Sequence, residues 1–379
     1  MNIEPDDDQR MLFEAVDGLL ARSYAPGFRG RAVSSDRGYS EEVWSALTEM
    51  GLTGLTIAEE FDGMGAGIAE VYVTMEALGK NAAVEPLLDG VYLPSWLIAG
   101  LDHGEAGAAL LRRLAGGREI FAVAHAEPGR IWHAVPAVVA TADAGGSVTL
   151  EGVKSPVPRA DQAAVLLVTA VDADGRTGVY VVDGDAPGIV RIDGRGPDWT
   201  HASEVHFTGA PARQLGNAGD ESVLALRGAY SRARLAVSAE AIGLAEAGLA
   251  RVVAYLPNRR QFGVSLDTFQ ALDFRCADLY SEVELARSYA LWATTVAAAG
   301  TVDPAAADDT FAYVGAMART AAEEIIQLHG GIGMTFETDV AHHAARLTAI
   351  RESYGGVAAA RRRALRSATL TAVPEALPG

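Results

Sequence analysis

The chain has a single cysteine, Cys276, which excludes an intrachain disulfide. Set among helix-forming residues and away from any His/Asp pair, Cys276 reads as a buried structural thiol rather than a nucleophile. Basic charge is also scarce: 31 Lys and Arg against 49 Asp and Glu leave a net charge of -18 and a pI near 4.8. A field of that sign repels phosphate backbones and anionic lipid, so neither nucleic acid nor a membrane surface is expected as a partner. No uncharged apolar run reaches the ~18 residues that span a bilayer. The segment Met1 to Arg10 carries four acids and no apolar core, so no secretion signal is expected and the expected compartment is the cytoplasm. Repeats, low-complexity tracts and long linkers are lacking too. Any anionic ligand must therefore be held by particular arginines or by free N–H groups at helix ends.

What is present is a globular composition. The 379 residues are 49% hydrophobic and 21% charged, enough for a substantial core in one large domain or two to three small ones. Apolar spacing is helical from Leu12, Val16, Leu19 and Leu20 through Val43, Trp44, Leu47 and Met50 to Val71, Met75 and Leu78, with a short piece at Leu110 to Leu114. Ser40 before Glu41 and Glu42 supplies an N-cap and acids for the positive helix end. From about Glu119 the pattern turns to β-branched runs: Val138 to Ala140, Val148 to Leu150, Val165 to Thr169, Val179 to Val182 and Ile189 to Ile192. Gly- and Asp-rich turns separate them. After Gly219 long helical periodicity returns, in helices that can cover their apolar faces only against one another, as in a four-helix bundle. The predicted class is α+β: an N-terminal α domain over 1–118, a middle β barrel or sandwich over 119–218 and a C-terminal α bundle over 219–379.

Two segments carry candidate chemistry. Arg259-Arg260-Gln261-Phe262-Gly263, with Phe269-Gln270 downstream, places paired cations and a new helix start where a phosphate could bind, although helix C-capping by Arg and Gly would look the same. Gln327-Leu-His329-Gly330-Gly331-Ile-Gly333 is a polar, glycine-rich break that allows close backbone approach to a ligand, or simply turns the chain. His342-His343 point ~100° apart on a helix and cannot share a metal. Arg361-Arg362-Arg363 reads as a solvated helix face and Ala372 to Gly379 as a frayed tail.

Together these segments resemble the signature of the acyl-CoA dehydrogenase family, as do Glu59-Glu60-Phe61-Asp62-Gly63-Met64-Gly65 and Met75-Glu76-Ala77-Leu78-Gly79-Lys80. The finer likeness, in Val84-Glu85-Pro86 and from His342 to Arg346-Leu347-Thr348, is to small-subunit types such as that of pimeloyl-CoA dehydrogenase. The resemblance implies FAD as cofactor, an acyl-CoA substrate and electron-transfer flavoprotein as acceptor. It also implies a homo-oligomer, or a hetero-oligomer with a paralogous acyl-CoA dehydrogenase subunit. It assigns Arg259 and Gln270 to the pyrophosphate and adenosine side of FAD, Gln327 and Gly331 to the flavin of an adjacent subunit, and Phe262 and Gly330 to cofactor binding with them. Glu127 and Pro128, in His125-Ala126-Glu127-Pro128, match the strand that borders the flavin. That strand departs from the family pattern in having Ala126 for the usual Thr, and Ser155-Pro156-Val157-Pro158 stands where a tryptophan strand is usual.

The family's chemistry removes an α proton with a carboxylate while the β hydride leaves to flavin, so a base in a dry pocket is required. The resemblance puts that base either in the last loop, here Tyr354, or on the first long helix of the bundle, here Ala233. Neither is a carboxylate. Glu240, seven residues past Ala233 on the face of Tyr230, Val237 and Leu244, and Glu352, two before Tyr354, are the substitutes, set against a buried hydrogen bond for Glu240 and a solvated loop for Glu352. Arg234 and Tyr354 are the substrate-side candidates. The readings left open are a hetero-oligomeric dehydrogenase whose partner supplies the base, a self-sufficient homo-oligomer, and a structural or regulatory subunit without redox chemistry.

Overall fold

The computed structural model describes residues 3–132, 135–300, 302–335 and 338–371, so the predicted tail 372–379 lies outside the described residues. Six helices open the chain: α1 (Asp7–Ser23), α2 (Phe28–Ser34), α3 (Glu41–Glu49), α4 (Ile68–Lys80), α5 (Leu93–Ala99) and α6 (Gly104–Ala115). Their starts follow local chemistry. Asp6 and Gln9 form a reciprocal capping box on α1, and Ser40 accepts from the Val43 amide to cap α3. Immediately before α5, Leu88–Tyr92 form one π-helical turn, a local widening that turns one extra residue out of register.

The middle of the chain is a closed barrel. Strands β1 (Phe121–Ala124), β2 (Val139–Ala142), β3 (Val148–Pro158), β4 (Val165–Val171), β5 (Thr177–Asp183), β6 (Ile189–Arg195) and β7 (His201–Leu215) pair so that β4-β2-β3-β7-β5 returns to β4, with β1 and β6 as side branches. Strands β1 and β4 are apolar at every position but Thr169 because both faces are covered. Phe121, Val123, Val165 and Leu167 pack on the helices, while Ala122, Ala124, Leu166 and Val168 fill the barrel. The longest strand, β7, carries His201, Glu204, His206 and Pro211 among its apolar residues and was not among the runs expected.

Helix α7 (Asp220–Tyr255) is the axis of the last part. Around it lie α8 (Gln270–Ala298), α9 (Pro304–His329), α10 (Val340–Ile350) and α11 (Val357–Thr371), which makes three long helices and two short ones. From Ala233 to Ala245 α7 is buried at every position, because α4 covers the side that the bundle leaves open. Glycine makes that contact possible: a Cβ on Gly79 would come within 2.0 Å of the Glu240 carbonyl oxygen, and one on Gly243 within 2.1 Å of that of Glu76. Cys276 is half-buried, more open than expected. Arg363 is no solvated residue either; it turns inward to a bidentate pair with Asp308 at 2.7 Å. Among the described residues no helix is long and apolar enough to cross a membrane, and no His/Cys/Asp/Glu cluster suits a metal ion.

Candidate active site

The three parts of the chain meet around a cavity of about 290 Å³. One wall is aromatic, and Asp89, Arg159, Asp198, Arg346 and Glu352 line the rest with small and apolar residues. Trp132 stands edge-on to Tyr230 at 5.1 Å between centroids, His125 packs against both, and Tyr230 lies 6.0 Å from Tyr354. Trp132 and Tyr354 line the cavity together with Ala126 and Pro156 of the barrel and Glu352 of the last loop. The Trp132 indole N–H is buried without a partner, an unmet donor at the wall of a slot suited to a flat heteroaromatic ring.

Tyr354 sits in the left-handed region (φ 50°, ψ 40°), an unfavourable backbone for a bulky residue. Two contacts hold it there. Arg234 Nη2 donates to the Tyr354 carbonyl at 2.9 Å, and the Tyr354 hydroxyl donates to Asp89 Oδ1 at 2.7 Å. Burial, then the charge and hydrogen bond of Asp89, drive the Tyr354 pKa well above the ordinary phenol value, so the phenol remains a donor. Arg234 is itself buried, 3.4 Å from Asp308, and burial pushes its pKa down to about 10.

Both candidate carboxylates are near, in different states. Glu240 is buried and takes two bonds from Arg346, at 2.6 and 2.9 Å, while Arg346 Nη1 reaches Asp198 at 2.9 Å. Burial alone would lower the Arg346 pKa, but Glu240 and Asp198 outweigh it and hold the guanidinium far above its usual value. Glu240 is thus bound into a structural triad. Glu352 is exposed and lines the cavity mouth. Ala233 is buried in α7.

On the barrel side Glu127 accepts from the Ala137 and Val138 amides and from Lys154 Nζ at 2.7 Å, so its carboxylate is already committed. Lys154 is fully buried, with Thr169 and the His125 carbonyl as its other acceptors. Burial brings its pKa down to about 8 against the opposing pull of Glu127. Any flavin contact at Glu127 and the exposed Pro128 therefore falls to the backbone.

The two glycine-containing motifs lie together at the far end of the bundle. Tyr255, which closes α7, stacks on His329, which closes α9, at 4.8 Å. Arg259, Phe262, Gln270, Gln327, Gly330 and Gly331 are all exposed around that contact, Phe262 at 92%. A Cβ on Gly330 or Gly331 would meet nothing within 4 Å. Along α7 this end lies ~37 Å from Tyr230 at 1.5 Å per residue, farther than one extended FAD reaches.

Asp89, Arg159 and Asp198 were not singled out from the sequence, nor was Arg346 as the partner of Glu240. Asp89 lies in a π turn and Arg159 just past β3, where no periodicity marks them.

A helical domain, a closed barrel and a helical bundle meeting at a cavity with one aromatic wall give the chain the architecture of an acyl-CoA dehydrogenase. Residues 6–101 match the family described as acyl-CoA dehydrogenase, N-terminal domain, and residues 224–369 that described as acyl-CoA dehydrogenase, C-terminal domain. The chain is 31% identical to the acyl-CoA dehydrogenase IpdE2 of Mycobacterium tuberculosis, over 89% of each chain. It is 25% identical to the mitochondrial isovaleryl-CoA dehydrogenase of Oryza sativa subsp. japonica, over 86% of this chain and 83% of that one. Among solved structures it superimposes with a TM-score of 0.87 on a variant of the Tcur3481-Tcur3483 steroid acyl-CoA dehydrogenase, at 28% identity over 97% and 99% of the two chains. A TM-score of 0.88 on the ChsE4-ChsE5 complex from Mycobacterium tuberculosis, at 23% identity over 99% and 100%, shows the same fold. The chain belongs to the acyl-CoA dehydrogenase family. It is an oxidoreductase acting on acyl-CoA, with FAD as its cofactor.

Proposed function

We propose that this chain carries out FAD-dependent α,β-dehydrogenation of an acyl-CoA to the 2-enoyl-CoA as the small-type subunit of a hetero-oligomer with a paralogous acyl-CoA dehydrogenase chain. The observation that carries this reading is the ~37 Å of α7 between the aromatic cavity and the Arg259/Gln327 motifs. A single FAD cannot use both ends of one chain, so Arg259, Phe262, Gln270, Gln327, Gly330 and Gly331 complete the FAD site of a neighbour. Phe262 and, at one helical face of α8, Phe274, Leu285 and Trp292 are also exposed, apolar side chains of the kind a neighbouring subunit covers. Ala233 and Tyr354 depart from the family pattern at both usual base positions, a divergence that accords with a chain specialised to pair with a paralogue. The 28%-identical steroid dehydrogenase, named for two components, is consistent with this assembly. Bound FAD supplies the two-electron acceptor for the β hydride. Electron-transfer flavoprotein would then take the electrons onward in the cytoplasm.

A second reading, a self-sufficient homo-oligomer, is favoured by Glu352 at the cavity mouth. The deciding experiment purifies the chain alone and with the paralogue encoded nearest to it, then adds an acyl-CoA panel anaerobically. Flavin bleaching only in the co-purified complex supports the first reading. Full bleaching by the chain alone, migrating as a homo-oligomer, overturns it.

A further inference from the structure

We infer that Asp89 is the proton acceptor of this chain's own cavity, held in place by Tyr354. The inference rests on the dehydrogenation reading and supplies what that reading lacks, a carboxylate at the reacting carbon. Tyr354 fills the loop position that the resemblance reserves for the base, and its hydroxyl, donating at 2.7 Å, brings the Asp89 carboxylate to that spot. Asp89 lines the cavity with Tyr354 and Tyr230, is half-buried, and uses only Oδ1 in a hydrogen bond. Oδ2 is left to accept.

The alternatives are less suited. Glu240 is closed off by Arg346, and Glu352 is exposed, whereas Asp89 is half-buried beside Tyr354. The Tyr354 phenol stays protonated through its own raised pKa. The π turn explains how an aspartate from the N-terminal domain arrives here: the extra residue in Leu88–Tyr92 turns Asp89 toward the last loop. The charged groups nearest to it are Arg159 just past β3, Arg346 on α10, and the Glu240 and Asp198 that Arg346 binds. Arg159 is buried, with Nη1 unpartnered and Asp89 as the first charge that offsets its burial.

In the step assigned to it, Asp89 Oδ2 takes the proton from Cα. The electron pair of that C–H bond becomes the Cα=Cβ bond as the Cβ hydrogen departs with its own pair; FAD, when bound, would supply the acceptor for that hydride. The carboxylic acid then returns its proton to solvent.

The test isolates the proton half of the reaction with a panel of 3-thiaacyl-CoAs, whose sulfur replaces the β carbon so that no hydride can leave. The flavin-containing protein, as the complex if the paralogue proves necessary, is incubated with them in D₂O, and deuterium at Cα is read by mass spectrometry. The wild type exchanges. Asp89→Asn loses at least ~100-fold, the range expected for a lost general base, while the visible spectrum shows FAD retained; Asp89→Glu recovers part of the rate. Tyr354→Phe retains FAD but slows exchange, because the hydroxyl that holds Asp89 Oδ1 in place is gone. Wild-type exchange in Asp89→Asn, or loss in Glu352→Gln instead, overturns the assignment. A wild type that bleaches with acyl-CoA but exchanges nothing overturns it too. One that neither exchanges nor bleaches overturns the dehydrogenation reading beneath it.

Discussion

The two ends of α7 are built on opposite principles. At the Tyr255 end a handful of consecutive residues, Arg259 to Gly263 and Gln327 to Gly331, stand largely exposed and make almost no use of the rest of their own chain. At the Tyr230 end a cavity is assembled from the π turn, the barrel and the last loop, and its residues hold one another through buried ion pairs and aromatic contacts. On the proposed reading the first end is a docking motif whose ligand belongs to an assembly; the second is a site that exists only once the chain has folded. Substitutions at the two ends should therefore separate binding from folding.

The largest effect is expected at the cavity end. Arg346→Met strips the shared cation from Glu240 and Asp198 and leaves two buried carboxylates facing each other. Breaking such a pair costs on the order of 3–5 kcal/mol, to be read as a lowered denaturant midpoint. A midpoint within the error of the wild type would show that the triad contributes little to this end.

Next comes an acid effect in the helix beside it. His343 donates Nδ1–H to the Asp339 carbonyl and buries an unpartnered Nε2, and burial pushes its pKa down to about 4. Between pH 6.5 and 4 the unfolded chain takes up this proton and the folded chain does not. Stability therefore falls through that window as the pH falls, by on the order of 3 kcal/mol from this group. Glu76 works in the opposite sense: burial raises its pKa to about 7, so the folded chain keeps that proton and the gain is lost as the pH rises toward 7. Comparing the wild type with His343→Gln at about pH 7 and about pH 5 isolates the histidine, and the variant should lose less.

At the motif end the expected change is in affinity. Arg259→Ala should leave the unfolding midpoint unchanged, because the side chain is exposed, yet weaken FAD binding in the assembly roughly 10- to 100-fold, the worth of a hydrogen bond to a charged group. Titration of the apo assembly with FAD measures it. A large loss of stability would place Arg259 in the fold instead. The smallest effect is a control belonging to neither end: Ser40→Ala removes the α3 cap and should cost about 1 kcal/mol with FAD binding unchanged.

The contrast also explains what could be read from the residues in order. Helix starts with side-chain caps, such as Ser40, and strands with continuous β-branched runs, such as Val165 to Thr169, declare themselves within a few residues. Strand β7 did not, since its inward residues Ser203, Val205 and Phe207 alternate with polar ones and Pro211 and Gly209 interrupt the pattern. Arg361-Arg362-Arg363 looked uniformly solvated because the sequence shows no partner for Arg363; Asp308, 55 residues away, became one only when α9 and α11 packed together. Glu240 was legible as a buried carboxylate from its helical face, but Arg346 and Asp198, which complete its triad, come from other elements. Asp89 carried no signal at all. An aspartate in an apolar stretch before a proline-started helix is ordinary until a π turn faces it toward Tyr354.

Sequence alone determined the class of the chain: helical, then β, then helical, with a pair of motifs that resemble those of the acyl-CoA dehydrogenase family. Those features rest on local interactions, periodicity, capping and short-range turns, which need only neighbours along the chain. The tertiary structure decided which charged groups are spent in pairs and which remain free in the cavity. That choice depends on burial and on partners tens to hundreds of residues apart, and proximity of that kind is created only by packing.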